Sequence, residues 1–383
     1  MRLGVFCDYS YRRDAGKLYA ELPFALFLRQ LRPFCQRLVL TGRLDPKPGT
    51  YPYVMDDVDF VALPHYSSGA NLSAVIRAVP AGIHRFWRML DDVDVVWVLG
   101  PNPPQAIIFA LLARLRRRRV VLGVRQNLPV LIRHRHPGKV HLWLFALALE
   151  AAFRLLSLRI ATTVVGPDLG RRYRRARRLH VFYVSLLEDA QIVAADDDRR
   201  EFDGPELRML SVGRLDPEKN PLLLADVLAR ASADDPRWRL DVCGDGSLMS
   251  ALAERLEQLG VADRAVLHGH VPIDGGLWAL YRASHGLVHV SLTEGAPQVI
   301  LEAFAARLPV VATAVGGVPA LVMGCGLLIE PQDAPAAARA LAELVSDAAT
   351  RTELVDHASQ RAREHTVGAE CARLASFLAG EEA

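Results

Sequence analysis

The sequence is poor in cysteine, and its cysteines form no pattern. The five cysteines among 383 residues stand singly, with neither a Cys-x-x-Cys pair nor a histidine spacing suited to zinc. This scatter argues against a disulfide framework or a zinc module and fits a reducing, cytoplasmic compartment. Short internal repeats and low-complexity segments are lacking too, so the sequence indicates an ordinary globular chain.

Long apolar runs are also lacking. The longest, residues 142–149, ends at Glu150 and falls well short of the roughly 20 residues that span a bilayer. The chain begins directly with a strand pattern, so we expect no secretory signal. Aromatic residues make up 7% of the chain and are not interleaved with its basic runs, which argues against nucleic-acid binding.

The net charge of +3 hides an asymmetry between the two halves of the chain. Residues 1–185 contain 29 Lys and Arg against 12 Asp and Glu, whereas the remainder contains 17 against 31. The length predicts two domains, and the basic one requires an anionic partner. Its densest basic runs, 116–119 and 171–178, are either solvated helix faces or a peripheral contact with the inner face of an anionic membrane. The apolar helix predicted near 142–153 either packs in the core or lies shallowly in that interface.

Strand-like and helix-like patterns alternate along both halves. In the first half we predict strands over 3–7, 37–40, 93–99, 120–124 and 160–165, and helices over 17–32, 72–89, 104–114 and 140–156. In the second half we predict strands over 208–212, 239–243, 265–268, 286–290, 310–313 and 326–329. This alternation predicts α/β domains with doubly wound parallel sheets. We place the domains at 1–187 and 207–365, a polar linker at 188–206, and a last helix within 366–383.

Two glutamates, Glu294 and Glu302, lie eight positions apart around a predicted helix N-terminus. Glu294 stands in a Gly/Pro turn, and Pro297 suits the first helical position. Unpaired backbone N–H groups near Gln298 and Val299 would attract a phosphate, and the carboxylates suit hydroxyl groups. The segment therefore predicts a ligand with a sugar at one end, a diphosphate in the middle and a ribose at the other.

Two cations follow the predicted strand that ends at Val212. Arg214 and Lys219 stand at the carboxyl end of that strand, where open α/β sheets bind ligands. An arginine and a lysine together can hold a diphosphate as a fork plus a point charge. Glycine-rich turns at 244–246 and 316–317 follow later strands.

These stretches together resemble the C-terminal domain of family-4 retaining glycosyltransferases with the GT-B fold. The resemblance covers roughly residues 205–345 and includes the Glu-x7-Glu pair in register with Arg214 and Lys219. It implies two Rossmann-like domains facing a central cleft, with the last helix crossing back onto the first domain. It also implies metal-independent hexosyl transfer in glycan biosynthesis, with retention of configuration.

The resemblance also implies roles for single residues. Arg214 and Lys219 would contact the donor diphosphate, Glu294 the transferred sugar, and Glu302 the ribose. Backbone dipoles and the two cations would stabilise the charge on the leaving diphosphate, so no metal or other cofactor is expected. The donor-binding set comprises Gly16, Gly213, Gly244, Gly246, Val271, Gly295, Ala296, Pro297, Gln298, Val299 and Glu302. The donor is a UDP-sugar in the favoured interpretation, with a GDP-sugar as its rival.

The N-terminal half matches this family less closely. Residues 9–16 occupy the place of its glycine-rich loop, and Arg125 and Gln126 stand where relatives carry a histidine. Because arginine stays charged, Arg125 cannot act as a base; it either binds an anionic acceptor or a donor phosphate, or forms a structural salt bridge. The candidate acceptor or sugar contacts are Arg125, Gln126, Asn127 and His134.

The acceptor and two alternative functions stay open. Lipid-linked, phosphorylated and small-molecule acceptors all fit the sequence. A GT-B sugar-nucleotide epimerase and a catalytically inactive donor-binding partner of a membrane or an assembly are the alternatives. The intact Glu294 argues against the inactive protein, and the Arg214 and Lys219 spacing favours transfer over epimerisation.

Overall fold

The computed structural model describes the chain except for residues 48, 67–71, 137, 199, 273–275 and 382–383. It divides into two compact units, each built around its own sheet. The first comprises Met1–Leu186 together with Val367–Ala383, and the second comprises Leu187–Thr366.

The first unit is a mixed sheet of nine strands with helices packed on it. Its strands are β1 (Arg2–Asp14), β2 (Lys17–Ala20), β3 (Arg37–Leu44), β4 (Tyr53–Val54), β5 (Asp59–Leu63), β6 (Val95–Gly100), β7 (Arg119–Val124), β8 (Ala161–Val165) and β9 (Leu179–Phe182). Its first six helices are α1 (Phe24–Arg29), α2 (Leu72–Met89), α3 (Gln105–Leu115), α4 (Leu128–Arg135), α5 (Val140–Ser157) and α6 (Gly166–Arg172). The strands β5, β3, β1, β6, β7, β8 and β9 are parallel neighbours in that order. They read as apolar runs, as is typical of strands that are covered on both faces.

The predicted helix over residues 17–32 is wrong in its first half. Residues Lys17–Ala20 form β2, which pairs antiparallel with the end of β1, and the helix is limited to α1. Ala15 and Gly16 between the strands both have positive φ, 46° and 80°. A two-residue turn with this backbone matches the twist of a hairpin, so pairing with β1 prevails over helix propensity.

The apolar helix α5 is longer than the uninterrupted run in the sequence. By length and composition its 18 residues could cross a membrane, which corrects the estimate made from residues 142–149. However, Ala146, Leu149 and Phe153 are buried, and the enclosed carboxylate of Glu150 pairs with Arg172 at 2.8 Å. These contacts hold one face of α5 in the first unit, while Leu144 and Phe145 on the other face are exposed.

The second unit is a six-stranded parallel sheet. Its strands are β10 (Leu207–Val212), β11 (Trp238–Cys243), β12 (Ala265–Gly269), β13 (Gly286–His289), β14 (Val310–Thr313) and β15 (Leu327–Ile329). Its helices are α7 (Leu222–Asp234), α8 (Met249–Gln258), α9 (Trp278–Ala283), α10 (Gln298–Ala305), α11 (Val318–Val322), α12 (Ala334–Ser346) and α13 (Ala348–Glu364). Asp333 and Asp347 cap α12 and α13 by accepting from backbone N–H groups three residues on.

The strand order in this sheet is β12-β11-β10-β13-β14-β15. The chain therefore winds outward from β10 in one direction and from β13 in the other. Ligands of such sheets bind beyond the carboxyl ends of the two strands at which the direction reverses. A ligand-binding site is therefore expected at the loops after β10 and β13.

The segment 188–206, which the sequence suggests as a linker, lies in the second unit. The side chain of Arg200 is nearly enclosed and donates hydrogen bonds to the carbonyl oxygens of Ser284, Tyr281, Ala306 and Arg307. These bonds fix the segment against α9 and α10.

The last helix, α14 (Val367–Ala379), packs in the first unit. Its Phe377 ring stacks on His180 of β9 at 5.1 Å, and its backbone carbonyl accepts a hydrogen bond from Arg119 of β7 at 3.4 Å. Leu374 is fully buried. The helix therefore supplies part of the hydrophobic core of the first unit.

The substitution Leu374→Ala should loosen the first unit. Truncating a fully buried leucine costs about 2–5 kcal/mol, whereas Leu374→Met, which nearly conserves volume, should cost less than about 1.5 kcal/mol. Hydrogen exchange read by mass spectrometry should show faster exchange in peptides from residues 1–186 for the alanine variant. Equal exchange in the two variants would contradict the packing of α14 described here.

Candidate functional site

An ion pair joins the two loops at the point where the winding reverses. The Nζ atom of Lys219 lies 2.5 Å from Oε1 of Glu294. Lys219 ends a short 3-10 turn, Pro217–Lys219, that follows β10, and Glu294 lies in the loop after β13. The N–H of Leu292 donates to the carbonyl oxygen of Glu218 at 2.9 Å, so backbone contact also holds the two loops together.

The Glu294 carboxylate is enclosed and richly supplied with donors. Its Oε1 accepts a hydrogen bond from the Ser291 hydroxyl at 2.8 Å and lies 3.1 Å from Nε2 of His289. Burial alone would raise the pKa of Glu294, but His289 and the Lys219 ammonium hold that pKa at about 2. The group is therefore ionised at neutral pH and can act only as a hydrogen-bond acceptor.

The loop after β14 closes on the backbone of Glu294. A Cβ atom on Gly316 would lie 1.9 Å from the carbonyl oxygen of Glu294, and Gly316 has φ +53°. The N–H of Gly317 donates to the same oxygen at 3.2 Å. Glycine at 316 is thus required both by its backbone conformation and by close contact, and the loop fixes the position of Glu294.

The substitution Gly316→Ala should be clearly more destabilising than Gly324→Ala. Both positions have positive φ, but Gly324 has open space where its Cβ would lie. We expect a loss of about 1 kcal/mol at Gly324 and at least about 2 kcal/mol at Gly316. Urea titration of the two variants measures the difference, and equal losses would show that the contact with Glu294 is relaxed at little cost.

The depressed pKa of Glu294 also predicts a pH dependence of stability. An unperturbed glutamate titrates near 4.5, so the ionised side chain stabilises the fold fully above that pH and loses this contribution as pH falls towards 2. The difference in unfolding midpoint between the wild type and Glu294→Gln should therefore shrink between about pH 6 and pH 3.

Urea titrations at several pH values test this dependence. Glu353→Gln, at an exposed position on α13, serves as the control for a generic loss of charge. A wild-type advantage over Glu294→Gln that stays constant across this range would contradict the proposed electrostatic role.

The second glutamate of the pair is more deeply placed. Glu302 lies on α10 with 8% of its surface exposed, and its Oε2 accepts a hydrogen bond from the Tyr281 hydroxyl at 2.7 Å. Burial raises the pKa of Glu302, and the Tyr281 bond only partly offsets that effect. The two glutamates therefore differ in character: the pKa of Glu302 is shifted upward by burial, whereas the pKa of Glu294 is shifted downward by His289 and Lys219.

The segment between the glutamates forms the approach to α10. Gly295 is exposed, Ala296 is half-buried, and Pro297 is buried. Pro297 stands at the N-cap position, directly before the helix, rather than at its first position as predicted. Gln298 and Val299 are the first helical residues, and no described side chain caps their N–H groups. This end of α10 can accept an anion.

The structure does not place Arg214 beside Glu294. Its side chain is 59% exposed, and the guanidinium pairs with Asp216 and with Glu218, the latter at 2.7 Å. Arg214 and Lys219 thus follow the same strand, but only Lys219 reaches the carboxylate among the contacts that the structure describes. A bound anion would have to compete with two acidic side chains for Arg214.

The predicted glycines of the second unit serve loop packing. A Cβ on Gly244 would lie 1.8 Å from the carbonyl oxygen of Gly213, and one on Gly246 would lie 2.6 Å from the backbone of Leu215. The loops after β10 and β11 therefore touch through their backbones. Val271 is half-buried and follows β12, an edge strand of the sheet, rather than β10 or β13.

The five candidates in the first unit lie in different environments. Gly16 lies in the hairpin turn between β1 and β2, so the expectation of a glycine-rich loop over residues 9–16 is wrong: most of this stretch is strand. Arg125 follows β7, donates to the Tyr9 hydroxyl and lies 4.7 Å from the centroid of the Phe24 ring. Gln126 is exposed, and Asn127 caps α4. His134 lies in α4, and its side chain is outside the described residues.

Sequence patterns alone did not identify several polar residues that the fold brings together. Asp8 on β1 accepts from the Tyr66 hydroxyl at 2.6 Å and lies 3.1 Å from Nε of Arg43. Burial raises the pKa of Asp8 to about 6 against the opposing charge of Arg43. Local sequence carried little signal for this cluster, because its members are 23 to 58 positions apart. His289 and Ser291 could have been found by their closeness to Glu294 in the chain.

A metal site is not evident in the described part of the chain. Its histidine, cysteine, aspartate and glutamate side chains form no group of three that could hold a metal ion. The polar groups gathered at the reversal point are instead a cation, an ionised carboxylate and a helix N-terminus, which suit a ligand with phosphate and hydroxyl groups.

Comparison with known proteins agrees with this chemistry. The family model described as glycosyl transferases group 1 matches residues 194–365, which lie within the second unit. A D-inositol 3-phosphate glycosyltransferase of Corynebacterium glutamicum is 34% identical over 205 residues, covering 51% of this chain and 49% of the relative. An exopolysaccharide phosphotransferase of Streptomyces coelicolor is 37% identical over 139 residues, covering 36% of this chain and 14% of the relative. The chain thus spans half or less of the length of these curated relatives.

Solved structures match over nearly the whole chain. HepE of Anabaena, crystallised with UDP, has a TM-score of 0.73 at 16% identity and covers 99% of this chain and 100% of its own. Sucrose-phosphate synthase of Thermosynechococcus elongatus has a TM-score of 0.70 at 19% identity and covers 98% of both chains. At these identities the likeness concerns the fold. The chain has the GT-B fold, and the match of residues 194–365 to glycosyl transferases group 1 supports a glycosyltransferase family for it.

Proposed function

We propose that this protein is a metal-independent, retaining glycosyltransferase of family 4. It would move a hexosyl group from a nucleoside-diphosphate sugar to an acceptor bound by the basic first unit. The observation that carries this proposal is the Lys219 and Glu294 pair beside the N-terminus of α10. The pair would set a cation and an ionised carboxylate against the anionic and hydroxyl groups of a sugar diphosphate.

Donor binding would rearrange this pair. A diphosphate competes with Glu294 for the Lys219 ammonium, because its two phosphates together carry more negative charge than one carboxylate and accept several hydrogen bonds. Glu294, still held by Ser291, would then accept hydrogen bonds from the hydroxyls of the sugar. The exposed side chain of Arg214 would exchange its ion pairs with Asp216 and Glu218 for contacts with the same phosphates.

Charge development on the leaving group gives this arrangement its catalytic value. When the glycosidic bond to the diphosphate breaks, negative charge grows on the β-phosphate oxygens. Fixed N–H dipoles at the start of α10, with Lys219 and Arg214, would stabilise that charge more in the transition state than in the ground state. Glu294 positions the sugar, and Glu302 is assigned to the ribose, which would take the place of the Tyr281 hydroxyl.

A UDP-sugar is the favoured donor. HepE, which shares the fold, was crystallised with UDP and with UDP-glucose, and a GDP-sugar remains the rival. The acceptor is undetermined; an anionic or lipid-linked acceptor would suit the charge of the first unit. We place its contacts near Arg125 and Asp8, and we propose a cytoplasmic protein that touches the inner face of the membrane peripherally.

Lys219→Ala should weaken donor binding without unfolding the protein. Loss of one charged contact to a diphosphate should reduce affinity roughly tenfold to a hundredfold. Calorimetric titration with UDP, GDP and their sugar conjugates in EDTA measures this and identifies the base. Arg230→Ala, which removes an exposed cation from α7, is the matched control and should bind like the wild type.

The outcomes separate the alternatives. Unchanged affinity in Lys219→Ala would overturn the placement of the diphosphate. Binding of a nucleotide with release of a rearranged sugar and no glycoside would favour the epimerase, and binding without turnover of any acceptor in a broad screen would favour the inactive partner.

A further inference from the structure

Seven arginines line one cleft of the first unit. The cleft lies at the amino ends of the strands, whereas Arg125 lies at their carboxyl ends. The cleft encloses about 370 Å³, and its walls also include Val120, Ile160 and Ala161. The arginines are Arg114, Arg117, Arg118, Arg119, Arg159, Arg177 and Arg178.

The order of strands explains why these residues meet. Arg119 begins β7, Arg159 precedes β8, and Arg178 precedes β9. Because β7, β8 and β9 are parallel neighbours, the amino ends of these three strands lie side by side. Two basic runs that are about 55 positions apart in the sequence are thereby brought into one concave surface.

Acidic side chains have little contact with this surface in the described part of the chain, where Asp94 has its pKa lowered by Arg2 and, more weakly, by Arg118 of the cleft. None of the seven arginines forms an ion pair with an acid in the described ranges, although Arg116 pairs with Asp91 and Arg172 with Glu150, each at 2.8 Å. Arg178 donates instead to the backbone carbonyl of Glu381 at 2.8 Å. The Nε atoms of Arg118 and Arg119 are buried and have no hydrogen-bond partner among the described groups.

This arrangement carries an electrostatic cost. Arginines do not lose their protons at neutral pH, so the cleft holds several positive charges in one concavity. Burial, and then the charges of Arg178 and Arg177, lower the pKa of Arg119. A multivalent anion would relieve this repulsion by pairing with several guanidinium groups at once.

We propose that the arginine cleft is a binding site for clustered phosphate groups. Guanidinium forks match phosphate oxygens in pairs, and a concave wall of seven can engage more than one phosphate at once. The proposal is independent of the donor site, since every wall residue belongs to the first unit.

The phosphates could be carried by a soluble polyphosphate or by lipid headgroups. Leu115 and Leu158, the chain neighbours of Arg114 and Arg159, are 71% and 48% exposed and could enter a lipid surface. Inorganic tripolyphosphate probes the first source. Vesicles of phosphatidylcholine, with and without phosphatidic acid, probe the second.

The test compares two double variants of the full chain with equal loss of charge. Arg159→Gln with Arg177→Gln removes two exposed arginines from the cleft, and Arg174→Gln with Arg175→Gln removes two exposed arginines outside it. Tripolyphosphate affinity is measured by calorimetry and vesicle binding by sedimentation. The cleft variant should bind one of these probes roughly tenfold or more weakly than the wild type, while the control changes little.

The result assigns the source or overturns the site. Selective loss of tripolyphosphate binding supports a soluble ligand, and selective loss of vesicle binding supports headgroups. Binding of neither probe by the wild type, or equal loss in both double variants, would overturn the proposal and leave the arginines as a general basic surface.

Discussion

The contact between Lys219 and Glu294 is the interaction on which the second unit's candidate site depends. Glu294 is enclosed, and an enclosed carboxylate is tolerated only where donors and an opposite charge compensate its lost hydration. Lys219 and Ser291 supply them, and Nε2 of His289 lies 3.1 Å away; each stands on or next to one of two neighbouring strands. The order of strands thus brings these side chains together, because the loops after β10 and β13 are neighbours at the point where the winding reverses.

This dependence explains what the sequence could predict. The Glu-x7-Glu spacing, the strands of the second unit and the cations after β10 are local patterns, and the structure places Lys219 beside Glu294. Partnerships across distant segments were not visible: nothing local indicates that Arg214 turns to Asp216 and Glu218, or that Tyr281 bonds Glu302. The same holds for Asp8, Arg43 and Tyr66, which only the folded sheet brings together.

Errors in the first unit have a related physical origin. Residues 17–20 have no strong local preference, and hairpin pairing with β1 decides their conformation. The glycines show the converse: Gly244 and Gly316 are needed because another backbone lies within contact of the position of their missing Cβ. The sequence does not show which backbone atom lies next to a glycine. A glycine near a ligand site is therefore easily interpreted as a ligand contact when its actual role is to let two loops pack together.

The two units differ not only in net charge but also in how far their charged side chains are paired. In the second unit, Asp235 and Asp226 each form an ion pair with an arginine, whereas the cleft arginines of the first unit form no ion pair with an acid among the described residues. Uncompensated charge in a concave surface lowers the stability of the fold that carries it, and surface arginine on a flat helix face would not incur this cost. A ligand that binds the folded state offsets the cost by mass action, so the fold is more stable when the cleft is occupied.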